Sequence, residues 1–350
     1  MFQNFAESWV SRIGALVVAL LFTTGSAMAA SVADFYKGKT INLTIGLPAG
    51  GIYDLYGRLI ARHIGNHIPG HPTVVPQNMP GAGSMTAANY IYNLAPKDGS
   101  EFGIVTFSAL TEPLFGDKQA LFNSSKFSWL GSASQEVSFC GVGPGSKIAT
   151  FNQWLKSGKR LSFGAAGSAA ISYQQPTVLK NVLDANLRLI AGYNGTGDIV
   201  LALARGEVDG MCAMSSSALK AQAPYQQMIN NGEMKLIIQM GPYKDNSFGR
   251  IPSVFDYVKT KEQREILSLA FDRQALGMPF IAPPGIPKNR YEALRKAFLK
   301  TLKDPALLAD AAKMNLDINY LSGGDATKLL KKFAHYPPSV IKKAKLALGQ

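Results

Sequence analysis

The chain has 350 residues, 47% hydrophobic and 17% charged, with 36 Lys and Arg against 23 Asp and Glu, for a formal net charge of +13. This composition fits a folded α/β protein, and the length exceeds what one core usually serves, which favours two lobes. The lysines are dispersed, the clusters Lys331-Lys332 and Lys342-Lys343-Lys345 read as a solvated helix face, and no basic-aromatic block occurs, which argues against nucleic acid and leaves a surface that concentrates small anions.

In chain order, Arg12 precedes the apolar run Ile13 to Phe22 and the small residues Ala27-Met28-Ala29, the pattern of a cleavable signal peptide over residues 1–29. Export to the periplasm with cleavage after Ala29 is expected. The run is about half of the ~20 residues a membrane-spanning helix needs. No Cys stands directly after it, which speaks against a lipid anchor. The leader removes Glu7 and Arg12 together, so the +13 belongs to the mature chain.

Next, Thr40 to Ile45 reads as a strand leading through Gly46-Leu47-Pro48-Ala49-Gly50-Gly51 into a helix from about Tyr53 to His67, closed by Pro69-Gly70. A strand near Thr73-Val74-Val75 leads through Asn78-Met79-Pro80-Gly81-Ala82-Gly83-Ser84 into a helix from about Ser84 to Leu94, and a strand follows at Phe102 to Thr106. Strands at 136–142, 161–164, 187–191, 210–214 and 235–240 alternate with helices at 149–157, 172–184 and 196–205. The end of the chain reads as helical near 262–270, 287–302, 305–314 and 324–347. The expected architecture is therefore α/β, with lobe 1 at 30–133 plus 241–350 and lobe 2 at 134–240. Each lobe is expected to hold a mainly parallel sheet flanked by helices, with a ligand cleft between the lobes and hinges near 130–135 and 240–243.

A Gly-rich turn from strand into helix exposes backbone N–H groups at the positive end of the helix dipole, where a carboxylate can approach. Ala49-Gly50-Gly51 and Gly81-Ala82-Gly83 form such turns in lobe 1; Ala166-Gly167-Ser168 and the stretch Tyr193 to Thr196 form them in lobe 2. Each by itself reads equally as an ordinary turn, and four in two lobes point to one ligand site. Asp54 reads as a helix cap or a ligand contact, and Tyr53 and Tyr56 as cleft-lining or core residues. GxGxxG and GxxxxGK[ST] patterns are missing, as is a GxSxG elbow, so nucleotide binding and a hydrolytic triad lack carriers. His63 and His67, four apart, form a possible metal edge without a third ligand, and neither a metal nor a cofactor is expected. Cys140 and Cys212 lie in apolar strand contexts; export permits a disulfide, but two buried thiols are the favoured reading.

Together these stretches resemble the solute-binding proteins of tripartite tricarboxylate transporters, the TctC or Bug-type family. The likeness rests on Leu47 to Gly51 with Asp54 and Arg58, Asn78 to Gly83, Ala95-Pro96-Lys97-Asp98-Gly99, Gly192 to Thr196, Arg205 to Gly210 and Ala282 to Pro287. It implies a two-lobed periplasmic-binding-protein-like (type II) fold that closes like a flytrap on a small organic carboxylate and hands it to a membrane permease of two further subunits. Carried over, Ala49, Gly50 and Gly51 form one jaw with Asp54 beneath, and Ala166, Gly167 and Ser168 the other, with Tyr193 and Thr196 near the same ligand. Two departures stand out: Ser84 where many members have a third Gly, and Ala169-Ala170-Ile171 where many have a His after the Gly-Ser pair. The resemblance implies no catalytic residue, and a monomer is expected. The competing readings are a receptor serving a membrane sensor kinase and a periplasmic hydrolase or isomerase, for which only Asp54 and neighbouring tyrosines offer acid-base groups.

Overall fold

The computed structural model describes residues 31–168 and 170–350; the expected signal peptide lies outside them. One sheet contains β1 (Thr40–Ile45), β2 (Thr73–Asn78), β3 (Glu101–Ile104), β4 (Ser128–Ser132), β10 (Pro279–Ala282) and β11 (Leu321–Ser322), in the order β11-β4-β10-β3-β1-β2. The other contains β5 (Ser138–Val142), β6 (Leu161–Ala165), β7 (Leu187–Ala191), β8 (Gly210–Ser215) and β9 (Lys235–Met240), in the order β7-β6-β8-β5-β9. In the first, β1 runs parallel to β2 and β3, while β10 runs antiparallel between β3 and β4. In the second, β6 runs parallel to β7 and β8, while β5 runs antiparallel between β8 and β9.

Helices α1 (Val32–Tyr36), α2 (Ile52–Ile64), α3 (Met85–Asn93) and α4 (Phe107–Thr111) belong to the first part of the chain. The second part adds α5 (Phe151–Ser157), α6 (Ile171–Leu183), α7 (Thr196–Ala204), α8 (Ser216–Ala221) and α9 (Ala223–Asn230). The return segment holds α10 (Lys261–Phe271), α11 (Lys288–Thr301), α12 (Pro305–Lys313), α13 (Gly323–Ala334) and α14 (Pro338–Ala347). The single helix expected over 324–347 is two, because Pro337 and Pro338 remove backbone donors and bar the helical conformation just before them.

Helix α2 covers the first sheet with Tyr53, Tyr56, Leu59, Ile60 and Ile64, an apolar stripe at helical spacing. Central β1 buries Ile41, Leu43 and Ile45 completely, whereas β2 at the edge is half-exposed and tolerates Pro76. The i, i+4 pair His63 and His67 faces helix α12 and its cap: His63 Nε2 lies 3.1 Å from Asp310 Oδ2 and His67 Nε2 2.7 Å from Asp304 Oδ2. Those imidazoles tie α2 to α12, and the metal edge is replaced by two His–Asp pairs.

Two stretches connect the sheets, 133–137 and the much longer 241–278, and they run side by side. Ala133 N–H donates to Met278 O at 2.9 Å, Met278 N–H to Ser134 O at 3.0 Å, and Glu136 N–H to Gln274 O at 3.0 Å. Gly277, at φ +29, lets this approach happen: a Cβ there would lie 2.0 Å from Ser134 O. The return segment divides its packing. Helices α11, α12 and α13 pack on the first-lobe elements α2 and β4, while α10 and α14 pack on each other and on α6 of the second lobe, and α14 also meets the first-lobe turn Glu112–Phe115. One apolar cluster runs from Phe107 and Trp129 through α10 and α14 to Trp154 and Phe163.

Cys140 of β5 and Cys212 of β8 form a disulfide, which corrects the reading as two buried thiols. The strands are antiparallel neighbours, and a register irregularity between Phe139 and Gly141, with Ala213 at φ +65, brings the two Cys side by side. They are 72 residues apart in sequence, and only the pairing of β5 with β8 makes them adjacent.

Candidate functional site

The Gly-rich loops lie at the C-terminal ends of β1, β2, β6 and β7, all in the parallel part of their sheets, the edge at which such strands leave room for ligands. Gly51 is the N-cap of α2 and Asp54 sits in its first turn. The Asp54 carboxylate, 3% exposed, accepts from Gly50 N–H at 2.9 Å, from Arg58 Nε at 2.9 Å and from Asn78 Nδ2 at 2.9 Å. Burial pushes this carboxyl up, and the hydrogen bonds from Arg58, Gly50 and Asn78 outweigh it, leaving its pKa below the ordinary value. Asp54 thus braces the loop from beneath. Gly50, at φ +81, turns its own N–H inward to Asp54, so the groups left at the start of the helix belong to Gly51 and the first turn.

Asn78, the last residue of β2, joins the first two loops. Its amide donates to Leu47 O at 2.9 Å as well as to Asp54, and its Oδ1 accepts from Arg58 Nη2 at 2.8 Å. The following residues Gly81, Ala82, Gly83 and Ser84 all have positive φ, at 147°, 45°, 64° and 83°. This costly run is held by Ser84 Oγ donating to Gly46 O at 3.0 Å and Thr106 Oγ1 donating to Gly83 O at 2.7 Å. Ala49, Gly50 and Ala82 are exposed; Gly51, Gly81 and Gly83 are half-buried. Tyr53, by contrast, is 6% exposed and donates to Gly277 O at 3.1 Å, and Tyr56 is fully buried, so both pack under the hinge rather than facing a cleft.

The second lobe repeats the first-lobe device. Gly195 is the N-cap of α7, and Asp198 in its first turn accepts from Asn194 N–H at 3.3 Å and from Asn194 Nδ2 at 3.0 Å. Thr196 opens that helix and hydrogen-bonds the hydroxyl of Tyr225, whose burial pushes its pKa up to about 12. The loop after β6 is tied by Ala166 N–H donating to Ser172 Oγ at 3.1 Å and by Tyr193 N–H donating to Ala165 O at 3.3 Å; Gly167 and Ser168 are exposed.

The two pairs of loops are therefore each assembled on one sheet. Contact between the pairs runs through Gln222, whose Nε2 donates to Gly50 O at 3.2 Å, and through Ile52, which packs on the same second-lobe cluster as Tyr193. Sequence reasoning missed Gln222, which sits between α8 and α9, two helices that carry no Gly-rich signal. Arg58 was readable as the i+4 partner of Asp54. A groove of about 590 Å³ between the lobes is lined by Lys220, Gln226, Phe248, Leu308, Asp317 and Ile318 among others, and by none of the four loops.

Two mixed sheets, each with a parallel part, joined by two hydrogen-bonded crossings and carrying Gly-rich loops at the ends of their parallel strands, define a two-lobed periplasmic-binding-protein-like fold. The chain belongs to the tripartite tricarboxylate transporter family of receptors, TctC, whose model matches residues 58–346. It is 22% identical over 357 residues, with 98% of each chain covered, to a UPF0065 protein from the 5′ region of gbd in Cupriavidus necator. Among solved structures it resembles the periplasmic binding protein BugD, with a TM-score of 0.69 at 20% identity over 89% of this chain and 98% of that one. It also resembles MatC of Rhodopseudomonas palustris with bound malate, with a TM-score of 0.67 at 16% identity over 88% of this chain and 99% of MatC. A further R. palustris protein, solved with adipate, gives 0.66 at 16% identity over 87% of this chain and 97% of its own. At these identities the neighbours bear out the fold; the family match makes the chain a receptor-type binding protein rather than an enzyme.

Proposed function

We propose that this chain captures a small organic carboxylate between its two lobes in the periplasm, closes on it and delivers it to the membrane subunits of a tripartite transporter. The observation that carries the reading is the bracing of the first loop. Asp54 takes the Gly50 N–H, and its charge is met by Arg58 and Asn78, so the loop is rigid and its acid is not turned to the ligand. The N–H of Gly51 and those of the first turn of α2 then stand at the positive end of a 13-residue helix with no intrahelical acceptor. A carboxylate held there needs no counter-ion from a side chain. In this reading Ala49, Gly50 and Gly51 shape one jaw, Gly81, Ala82 and Gly83 flank it, and Ala166, Gly167, Ser168, Tyr193 and Thr196 approach from the second lobe. Malate and adipate, found in two of the structural neighbours, are ligands of that chemical class.

Closure would move the two sheets relative to each other about the paired crossings at 133–137 and 272–278, with α14 packed both on α6 and on the first-lobe turn Glu112–Phe115. The binding half of the proposal is tested by a thermal-shift screen of mono-, di- and tricarboxylates, malate and adipate included; a ligand at about 100 times its Kd adds ~2.7 kcal/mol to stability. The variant Gly51→Val localises the site. A Cβ at Gly51 meets only Pro48 O at 3.6 Å, so the variant should fold, while its side chain covers the N–H groups. We expect affinity for the screened ligand to fall at least about tenfold, ~1.4 kcal/mol. Unchanged affinity in the folded variant would remove this loop from the site.

A further inference from the structure

In the first loop the peptide planes on either side of the Gly50–Gly51 bond are fixed from within the first lobe. The plane entering Gly50 is held by its N–H donating to Asp54 Oδ2 at 2.9 Å, and the plane leaving Gly51 by its carbonyl accepting from Leu55 N–H at 3.0 Å. The plane between them joins two residues without Cβ, with Gly50 at φ +81, so its rotation meets little steric resistance. Among the described residues its carbonyl, Gly50 O, has one partner, Gln222 Nε2 at 3.2 Å, and its N–H, that of Gly51, has none. In a trans peptide the carbonyl and the N–H point to opposite sides of one rigid plane. The partner of Gly50 O therefore decides which way the Gly51 N–H faces, and a hydrogen bond at the carbonyl polarises the peptide and strengthens that N–H as a donor.

Gln222 comes from the second lobe and is itself firmly mounted. It stands between α8 and α9, its N–H donating to Ala218 O at 3.0 Å and its carbonyl accepting from Tyr225 N–H at 3.2 Å. Helix α8 starts at the crossing, where Ser216 N–H donates to Val137 O at 2.9 Å and Ser217 Oγ lies 2.6 Å from Glu136 Oε1. From there it meets the first lobe repeatedly. Ser217 Oγ lies 2.9 Å from the Tyr56 hydroxyl, which donates to Asp317 O at 2.7 Å; Lys220 Nζ donates to Asp317 Oδ2 at 2.6 Å; and Gln222 ends the row at Gly50. On the other side of Gly51, Ile52 packs on the first-lobe core and on the second-lobe cluster that holds Tyr225 and Met228. The Gly51 N–H is thus flanked before and after by contacts to the second lobe, and one short helix connects the hinge to the jaw.

We propose that Gln222 is a positioning residue for carboxylate capture: reaching across from the second lobe, its amide holds the Gly50–Gly51 plane so that the Gly51 N–H faces the ligand, and the first-lobe jaw is complete only while the lobes stand together. Separation of α8 from α2 frees the plane, so the jaw binds an anion best in the closed arrangement, and binding in turn favours closure. The inference rests on the two-lobed capture reading, and its test separates the two.

Gln222→Met keeps the length of the side chain and removes its donor; Gln222→Glu keeps the shape and puts an acceptor where the donor was. The residue is half-buried at the surface, so both variants should melt as the wild type does without ligand. Malate, adipate and citrate are titrated by calorimetry into the mature protein and its variants. Those that bind the wild type should bind Gln222→Met about fivefold more weakly, the effect of one hydrogen bond, and Gln222→Glu at least as weakly. Gly51→Val covers the same N–H, so the double variant Gln222→Met, Gly51→Val should bind as Gly51→Val does alone, without a further loss. In nitrogen-15 spectra of the ligand-free protein, the Gly51 amide should shift in Gln222→Met more than any other amide of the first loop, because it shares its plane with the carbonyl that lost its partner. Equal affinity in Gln222→Met, additive losses in the double variant, or an unmoved Gly51 amide overturns the role of Gln222 while capture stands. If the wild type binds none of the screened carboxylates, the capture reading falls and this inference with it.

Discussion

Asn78 has no charge and stands outside the Gly-rich loops, yet both loops of the first lobe depend on it. Its amide meets Leu47 O, Asp54 and Arg58 at 2.8 to 2.9 Å, so removing it leaves a backbone carbonyl and a buried carboxylate each short of a donor. Asn78→Ala should cost about 1–3 kcal/mol in urea unfolding and weaken carboxylate binding about tenfold by calorimetry, the second effect reporting a loosened jaw. Glu136 makes a different prediction at the same scale. Its pKa rises from 4.5 to about 7 on folding, so the folded state binds the extra proton between those values. Its contribution is complete below about pH 4.5, is lost progressively as pH rises to about 7, and is flat above. The melting temperature of the wild type should fall through that window more than that of Glu136→Gln, and parallel curves would assign the slope to other groups.

At the scale of elements, the strand-to-helix turns were legible because Gly-rich punctuation between an apolar run and a helical stripe has few other meanings. Their internal conformation was not. Gly46 and Ser84 lie 38 residues apart, and a Cβ at Gly46 would come within 2.6 Å of Ser84 Oγ and 2.8 Å of Ser84 Cβ. Gly46→Ala should therefore destabilise by about 1–3 kcal/mol. Ser84→Gly added to it should recover part of the loss, because Ser84 holds φ +83 and glycine adopts that geometry without strain. Melting curves of the two single variants and the double variant decide this, and independent effects would contradict the contact. Strand β4 was missed for a related reason. Its sequence Ser128-Trp129-Leu130-Gly131-Ser132 has little β-propensity, and it is a strand because β10 and β11 pair with it on either side. Helices α8 and α9 are short and separated by a single Gln, too little for periodicity to register.

Across the whole molecule, the disulfide and the shared core set what can move. The Cys140–Cys212 bridge closes a loop of 72 residues wholly within the second lobe, so it stiffens that lobe and leaves the crossings free. Replacing both cysteines by Ser should lower stability by about 2–4 kcal/mol, measured by denaturant unfolding, with carboxylate affinity nearly unchanged. A comparable loss of affinity would place the bridge in the binding machinery. The residues Arg273, Gln174 and Glu112 add a buried polar knot between the return segment, α6 and the first lobe: Arg273 Nη1 donates to Thr111 Oγ1 at 2.7 Å and Gln174 Nε2 to Glu112 Oε1 at 2.7 Å.

The amino-acid sequence alone determined the α/β alternation, the four Gly-rich turns and the family, because these are local: an apolar period, a glycine and a proline act on their immediate neighbours. The tertiary structure decided the rest. It paired β5 with β8 and so joined two cysteines, turned Gly50 inward onto Asp54, packed α10 and α14 on α6, and lined up Glu136, Ser217, Tyr56 and Asp317 across the hinge. Each of those depends on groups distant in the chain meeting out of water, where a hydrogen bond left unmade is costly and a carboxyl keeps its proton.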